Sequence, residues 1–310
     1  MVVLLSGWWL GSERVGVLAG SIRRLAQARC ALRAVLVGFV LLAAGCQDTG
    51  EVSRVAALAH AELLVTTATR DVEEVRQGLP EGVKKLESIW IKNSKRLEDD
   101  PAELRETLET TRNAVQDLRV AKSTFFALAS SGGVVLRNDQ EQDLMAGKLL
   151  FEPFPALARA VQGDYVETTG VLPEAFGVKG KPDGQWVAAQ GVRVNGETRA
   201  LYVTGWAWSS YSYRLEFALR GQVTSELKDK RSKVPLLYVF VIVDEAVYSA
   251  PMAPEVNAQA IAALGPLAKL RQQDGFSAAV EITGRRFGLA AKLAPALGSN
   301  VALAVLRSET

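Results

Sequence analysis

The dipeptide Asn195-Gly196 separates two segments, 185–194 and 197–208, in which apolar residues recur at alternate positions. Asn-Gly is the pair that best fits the two central positions of a type I′ turn, because both positions need a positive φ. That turn also matches the twist of the antiparallel strands on either side of it. The sequence therefore predicts a β-hairpin here, within an antiparallel sheet.

A two-residue turn also predicts the register of the hairpin, with Val194 opposite Glu197 and Val192 opposite Arg199. Strict alternation from these pairs sorts the side chains into two faces. One face is predicted to hold the mainly aliphatic set Trp186, Ala188, Gln190, Val192, Val194, Arg199, Leu201 and Val203. The other face is predicted to hold Val187, Ala189, Gly191, Arg193, Ala200, Tyr202, Thr204, Trp206 and Trp208.

The second face combines small residues, which leave volume, with aromatic rings and hydrogen-bond donors, as a ligand cavity requires. We therefore predict that a ligand-binding cavity is lined or rimmed by Tyr202, Thr204, Trp206 and Arg193. The alternative is that Tyr202 and Trp206 are core aromatics whose polar atoms bond nearby backbone carbonyls. Arg193 lies two residues from the turn and would then be a solvated surface side chain.

Before Lys122 the apolar pattern is helical. A heptad-like series, with steps of three and four residues, consists of Leu58, Ala61, Val65, Ala68, Val72, Val75 and Leu79. Pro80 is predicted to end this helix, because proline lacks an N–H donor and disfavours a helical residue before it. Asp100 and Pro101 have the residue types of an N-cap and a first helical position, so another helix is predicted to begin there. The heptad series fits either packing on its own domain or a homodimer interface.

After Lys122 the apolar period changes from helical to two. A first hairpin is predicted from 125–129 and 134–138, which flank Ser130-Ser131-Gly132-Gly133. The rest of the pattern predicts, in order, a short helix at 154–161, an exposed loop at 170–184, the Asn195-Gly196 hairpin, a helix at 211–231, strands at 236–243 and 247–250, a helix at 255–271, and strands at 276–283, 287–293 and 301–306. Two segments of the chain thus have the order strand, strand, helix, strands.

This order resembles the PAS-like sensor fold, and its repetition after a helical segment resembles the extracytoplasmic double Cache sensors of bacteria. The residues 126–136 (FALASSGGVVL) are similar to the opening hairpin of a Cache domain, and 147–150 followed by 154–163 is similar to that family's helix. The resemblance implies a small antiparallel sheet with helices over a ligand cavity. The Tyr…Arg-x-Trp-Tyr…Tyr…Asp set of the amino-acid-binding members cannot be placed in this sequence, so an amino-acid ligand is not implied.

The first 45 residues have the pattern of a bacterial signal peptide. Four arginines between Arg23 and Arg33 precede an apolar run at 34–44, which is too short to span a bilayer as a stable anchor. The run ends in Leu42-Ala43-Ala44-Gly45-Cys46, which resembles a lipobox, so Cys46 is predicted to carry a lipid and to become the new N-terminus. Gln47 after it resembles the signal for outer-membrane sorting. An ordinary signal peptide with a coincidental cysteine is the alternative.

The net charge and the single histidine limit the classes of function that are open to this protein. Removal of residues 1–45 takes away five arginines and one glutamate, so 31 basic and 33 acidic residues remain. That balance, without a basic stretch, argues against a nucleic-acid partner. His60 is the only histidine, so neither a metal site nor a Ser-His-Asp triad is predicted. Asp139-x-Glu141-x-Asp143 resembles the start of a calcium loop but lacks the later glycine and glutamate that such a loop needs. We therefore expect no enzyme, metal or cofactor.

These interpretations combine into one prediction: an α+β protein of the cell envelope, anchored by lipid on the periplasmic face of the outer membrane. Its predicted parts are a removed signal peptide (1–45), a helical segment (46–121), a first PAS/Cache-like module (122–208), a connecting helix (209–231) and a second module (232–310). It is predicted to bind a small molecule reversibly and to report this to a membrane-protein partner, because the sequence contains no output module. The alternative function is an envelope structural or assembly lipoprotein that docks proteins without a ligand.

Overall fold

A computed structural model describes residues 49–92, 100–173, 182–228 and 233–309. The predicted signal peptide, the lipidation site at Cys46 and most of the predicted loop 170–184 lie outside these residues. The helices are α1 (Thr49–Lys92), α2 (Pro101–Ala114), α3 (Gln116–Val120), a 3₁₀ helix (Pro155–Gln162), α4 (Trp208–Lys228), α5 (Glu255–Ala263) and α6 (Pro266–Leu270). None of the helices in the described ranges is long and apolar enough to cross a bilayer.

Within the described residues, ten strands form two antiparallel sheets of five strands each. Sheet 1 contains β1 (Phe125–Ser130), β2 (Val135–Asn138), β3 (Val166–Leu172), β4 (Asp183–Val194) and β5 (Glu197–Ala207) in the order β2-β1-β5-β4-β3. Sheet 2 contains β6 (Leu237–Val243), β7 (Ala246–Ser249), β8 (Phe276–Ile282), β9 (Arg285–Leu293) and β10 (Val301–Ser308) in the equivalent order β7-β6-β10-β9-β8. The predicted fold class, a helical segment followed by two antiparallel-sheet modules joined by a helix, is confirmed.

Helix α1 continues through Pro80 for 44 residues, so the prediction that Pro80 ends it was wrong. Proline in a helix interior costs about 3 kcal/mol, because it removes one hydrogen bond and crowds the preceding turn. Tertiary packing offsets this cost, since Leu79 before the proline and Val83 and Leu86 after it are all buried. Helices in proteins gain most of their stability from such packing rather than from intrinsic propensity.

One face of α1 packs against both sheets of its own chain. The core that it forms with them includes Ala61, Ala68, Val72, Val75 and Leu79 of the heptad series, each 0% exposed. From sheet 1 the same core includes Trp186, Val192, Tyr202 and Trp206, and from sheet 2 it includes Val239, Val241, Leu303 and Val305. The chain's own sheets therefore occupy the seam that we considered as a homodimer interface.

The start signal for α2 has the predicted geometry. Asp100 is extended and its carboxylate accepts hydrogen bonds from the N–H groups of Ala102 and Glu103, at 3.0 and 3.1 Å.

The single predicted helix at 255–271 is instead two helices, α5 and α6, because Gly265 adopts a left-handed conformation with φ +54°. A glycine in that conformation ends one helix and lets proline begin the next.

The register of the β4–β5 hairpin differs from the prediction by one residue. Val194 pairs with Glu197 as expected, but Val192 pairs with Ala200 rather than with Arg199, because a bulge interrupts the ladder. Strict pairing would turn Arg199 towards the core beside buried Val192, where an arginine would lose its solvation. In the bulge Arg199 is exposed and forms an ion pair with Glu197 at 3.1 Å.

Candidate functional site

The bulge changes which residues share a face of the hairpin. Beyond it, Tyr202 lies opposite Gln190, Thr204 opposite Ala188 and Trp206 opposite Trp186. The predicted mixed face, with Tyr202 and Trp206 beside Val187 and Ala189, was therefore wrong: a slip of one residue exchanges the two faces of a strand. The residues that share the face of Tyr202 in the structure are Trp186, Ala188, Gln190, Val192, Ala200, Thr204 and Trp206.

Three of the four predicted ligand residues lie together, fully buried under α1. Tyr202, Thr204 and Trp206 are each 0% exposed, and the Thr204 hydroxyl donates to the Phe125 carbonyl at 2.8 Å. Arg193 lies apart, exposed beside the turn, where its guanidinium donates to the Gly196 carbonyl at 2.7 Å. The backbone N–H of Arg193 donates to the Glu87 carboxylate at 2.9 Å, which ties the hairpin to α1. The ligand-binding role of these four residues stays a prediction.

Trp206 is the middle ring of a three-ring stack. Its centroid lies 4.3 Å from that of Trp186 and 4.8 Å from that of Tyr211, with interplanar angles of 11° and 15°. The Tyr211 hydroxyl in turn donates to the Asp71 carboxylate of α1 at 3.1 Å. The stack therefore connects sheet 1, α4 and α1. Sequence patterns missed Asp71 because it lies in a helical stretch with no local motif.

Burial of Asp71 controls its ionisation. The residue is 1% exposed, and desolvation raises the pKa of its carboxyl above the ordinary value of 3.8. The hydrogen bond from Tyr211 and the charges of Arg70, Lys122 and Arg214 oppose that rise. Burial likewise raises the pKa of Tyr211 well above its ordinary value, so its phenol remains a donor at neutral pH.

We expect the Asp71→Asn substitution to reduce the pH dependence of stability. A carboxyl whose pKa is raised by folding binds more protons when folded than when unfolded, so the free energy of unfolding falls as pH rises through the folded pKa. Acidification from pH 7 towards pH 4, close to the ordinary pKa of 3.8, should stabilise the wild type more than Asp71→Asn, which keeps an acceptor for Tyr211 but has no charge. Thermal melts across this range measure the difference. Tyr211→Phe removes a hydrogen bond to the charged carboxylate of Asp71, so it should make stability depend more steeply on pH. Parallel stability profiles for the wild type and Asp71→Asn would contradict the raised pKa of Asp71.

The opposite face of sheet 1 is filled by apolar side chains. The segment between β2 and β3 covers it with Met145, Leu150, Phe154, Leu157 and Ala160, each at most 1% exposed. From the sheet, the same core contains Phe125, Ala127, Ala129, Val187, Ala189, Leu201 and Val203. Apolar packing therefore fills the space between this face of sheet 1 and the segment that covers it.

A polar cluster lies where α2 meets the end of β2. The Arg112 guanidinium donates to the Asp139 carboxylate at 2.9 Å, and that carboxylate also accepts from the Phe126 N–H at 2.9 Å. The guanidinium carbon lies 4.8 Å from the centre of the Phe126 ring, which is 6.0 Å from the ring of Tyr202. Burial and the Asp139 charge raise the pKa of Tyr202 above its ordinary value. Among the described residues, the Tyr202 hydroxyl has no hydrogen-bond partner.

An open groove of about 580 Å³ begins beside this cluster. Five stretches line it: the end of α2, the segment that leads into β1, the turn after β2, the first turns of α4 and the segment after β7. We call it the arginine groove, after Arg112 and Arg214, and its other lining residues include Ser123, Tyr213, Pro251 and Met252. Burial lowers the pKa of the Arg214 guanidinium, and the like charge of Arg112 also lowers it, while Asp71 acts in the opposite direction. The groove thus holds two cationic side chains, one of them desolvated.

Asp143, in the sequence that resembles the start of a calcium loop, has a structural role. Asp143 accepts hydrogen bonds from the N–H groups of Asn138, Met145 and Ala146, at 2.9, 2.9 and 3.0 Å, and so shapes the turn after β2. It also lies 3.1 Å from the guanidinium of Arg137. In the described ranges there is no cluster of three His, Cys, Asp or Glu residues that could hold a metal ion.

The fold matches solved structures of sensor domains. A domain of a sensory box/GGDEF family protein from Vibrio parahaemolyticus matches with a TM-score of 0.55 at 9% identity, over 85% of this chain and 98% of that one. The extracellular domain of a protein described as a histidine kinase matches with a TM-score of 0.54 at 8% identity, over 84% and 92%. No family model matches the sequence, and no curated protein does. The chain therefore has the fold of extracellular Cache/PAS-like sensor domains, and identities this low show the fold alone.

Proposed function

We propose that this chain is a lipid-anchored extracytoplasmic binding protein, which binds a small molecule reversibly and reports it to a membrane-protein partner. The observation that supports the proposal is the fold: two five-stranded sheets of equivalent strand order share one 44-residue helix. Two solved structures that match this fold are named as domains of a sensory box/GGDEF family protein and of a histidine kinase. In the proposal, Cys46 carries the lipid and holds the protein at the periplasmic face of the outer membrane.

The arginine groove supports a binding role more strongly than the hairpin faces do. Both faces of sheet 1 are covered by packed side chains, whereas the groove is open and combines cationic with apolar walls. Ligand sites have this composition, with a few polar groups that orient the ligand against an apolar lining. The groove also contacts α4, the helix that joins the two sheets, so a bound molecule would contact the connection between them.

Two measurements test this proposal. A thermal-shift screen against metabolites should raise the melting temperature for at least one compound, since a ligand that binds only the folded state stabilises it by mass action. The protein should also partition into membranes, and Cys46→Ser should release it into the soluble periplasmic fraction. A broad screen without a hit would refute the sensor function, and an unchanged membrane fraction for Cys46→Ser would refute the lipid anchor.

The packing of sheet 1 favours one competing function, an envelope docking protein that needs no ligand. In that case its surfaces, rather than a cavity, would carry the activity, and the covered faces of the sheet would serve stability alone. Affinity purification from membranes would then recover a stoichiometric envelope complex while the metabolite screen stays negative. The same two experiments therefore separate the two functions.

A further inference from the structure

We propose that the arginine groove is the ligand site and that it takes a carboxylate with an apolar body. The inference rests on the proposed binding function and adds both the place and the chemical class of the ligand. It differs from the site expected from the sequence, which was a cavity against the β4–β5 hairpin. Three observations support it: an unpaired cation, a free buried hydroxyl and an exposed apolar cluster.

Arg214 is a cation without a direct hydrogen-bond or ion-pair partner among the described residues, although the charge of Asp71 acts on it. Within the described part of the chain its guanidinium makes no hydrogen bond or ion pair, although the side chain is only half-exposed. Arg112 uses one nitrogen on Asp139 and faces the same groove. Two like charges around one concave surface repel each other, and an anion between them would relieve that repulsion. A carboxylate suits the guanidinium group because its two oxygens match the two parallel donors.

Ser123 supplies a neutral group next to these cations. The residue is 7% exposed and its hydroxyl, in the lining of the groove, has no hydrogen-bond partner among the described residues. Buried hydroxyls normally have a partner, because an unsatisfied polar group costs free energy. In the proposal, this hydroxyl donates to an oxygen of the ligand, since it lines the same groove as the two arginines. The neighbouring Thr124 hydroxyl is not available in this way, because it donates to the Gly205 carbonyl at 2.7 Å.

The outer wall of the groove is apolar and exposed. Met252 is 90% exposed and Tyr213 50%, and Phe217, one turn further along α4, is 70% exposed with its ring centre 6.4 Å from that of Tyr213. An isolated exposed apolar residue needs no explanation, but several beside two arginines form a surface that is cationic on one side and apolar on the other. Such a surface fits an aliphatic or aromatic chain that ends in a carboxylate. The size of the groove is also within the range of small-molecule sites, about 300–1,000 Å³.

The lining also discriminates against amino acids. None of the residues that line the groove in the described ranges is acidic, and the nearby Asp139 carboxylate is already bonded to Arg112 and to the Phe126 N–H. An α-ammonium group would therefore meet two guanidinium cations without an anion to balance it. We expect the groove to prefer a simple carboxylate over the amino acid of the same shape.

Calorimetric titration of the purified full chain tests the inference with matched probes. 3-Phenylpropanoate should bind, whereas 3-phenylpropanol, which lacks the charge, and phenylalanine, which adds an ammonium group, should each bind at least tenfold more weakly. Arg214→Gln should weaken binding of 3-phenylpropanoate at least tenfold, as expected for loss of a charged hydrogen bond. Arg214→Lys should restore part of the affinity, and Arg159→Gln, a change at an exposed arginine outside the groove, should leave it unchanged.

Failure of this inference differs from failure of the proposed function. No binding of 3-phenylpropanoate or of the branched carboxylate 4-methylpentanoate, or equal binding to wild type and Arg214→Gln, would overturn the groove as a carboxylate site. If the metabolite screen then still yields a ligand whose binding Arg214→Gln does not change, the binding function stands with its site elsewhere. Circular-dichroism melts of Arg214→Gln establish that its fold is intact before the titration is interpreted.

Discussion

Replacement of Trp206 by alanine is expected to reduce the free energy of unfolding by about 3–5 kcal/mol, enough to unfold much of a marginally stable domain. Trp206 is completely buried between the rings of Trp186 and Tyr211, at centroid distances of 4.3 and 4.8 Å. Alanine would leave a void between two rings that are held on different elements, β4 and α4. Neither ring could move to fill the void without separating its own element from α1. Denaturant unfolding followed by circular dichroism measures the loss.

Two control variants define what the Trp206 result means. Trp206→Phe keeps a ring in the stack and should lose clearly less stability than the alanine variant. Tyr213→Ala removes an aromatic residue of α4 that is 50% exposed, and surface changes of this kind usually stay within about 0.5 kcal/mol. A loss below about 1 kcal/mol for Trp206→Ala would contradict the stack as part of the core. The ligand-binding prediction for Trp206 is best tested with the phenylalanine variant, because it should remain folded.

The second large effect is expected at Gly288 on β9. A Cβ atom added there would lie 2.3 Å from the Arg54 nitrogen and 2.3 Å from the Ser53 carbonyl carbon, both in the backbone of α1. Flexible side chains can yield to a new methyl group, but a helix backbone cannot do so without moving the whole helix. Gly288→Ala should therefore cost about 3 kcal/mol, as severe overpacking does. The first turns of α1 should also become more sensitive to limited proteolysis.

Gly221 provides the matched control. It lies in α4 with no atom within 4 Å of an added Cβ, so Gly221→Ala should stabilise the protein by about 0.5–1 kcal/mol. The φ angle of Gly288 is not in the left-handed region, so alanine meets no backbone strain there and any loss reports the steric contact. Equal stability of the Gly288→Ala and Gly221→Ala variants would contradict the close approach of α1 to sheet 2.

Local signals in the sequence predicted most of the secondary structure. The Asn195-Gly196 turn is present, with positive φ of 53° and 87° at its two residues. The Asp100 cap and the change of period after Lys122 are also present in the structure. Each of these features depends on residues within one turn of a helix or one hairpin, so the sequence neighbourhood contains all the interacting groups.

Predictions failed where distant contacts outweighed a local preference. Pro80 lies within α1 because buried neighbours on both sides hold the helix against the sheets. The bulge at Arg199 arises because α1 covers that face of the hairpin and excludes a charged side chain. Since one residue of slip exchanges the faces, this single bulge also altered the predicted lining of the cavity.

The residues of the candidate site also come together only through contacts between distant parts of the chain. Arg112, Ser123, Arg214 and Met252 come from four separate stretches of the chain, and no spacing in the sequence indicates that they line one groove. The pair of Asp71 and Tyr211, 140 residues apart, has no local pattern either. Docking of the helices on the sheets brings these groups together.

The sequence alone determined the α+β class, the two hairpin-containing modules and the Asp100 cap of α2, because these depend on propensities and periodicities of neighbouring residues. The tertiary structure alone decided the continuation of α1 through Pro80, the register beyond Arg199 and the meeting of Arg112 with Arg214. The physical reason is that burial free energy is shared among residues far apart in the chain, and it exceeds the cost of one broken helical hydrogen bond or one bulge.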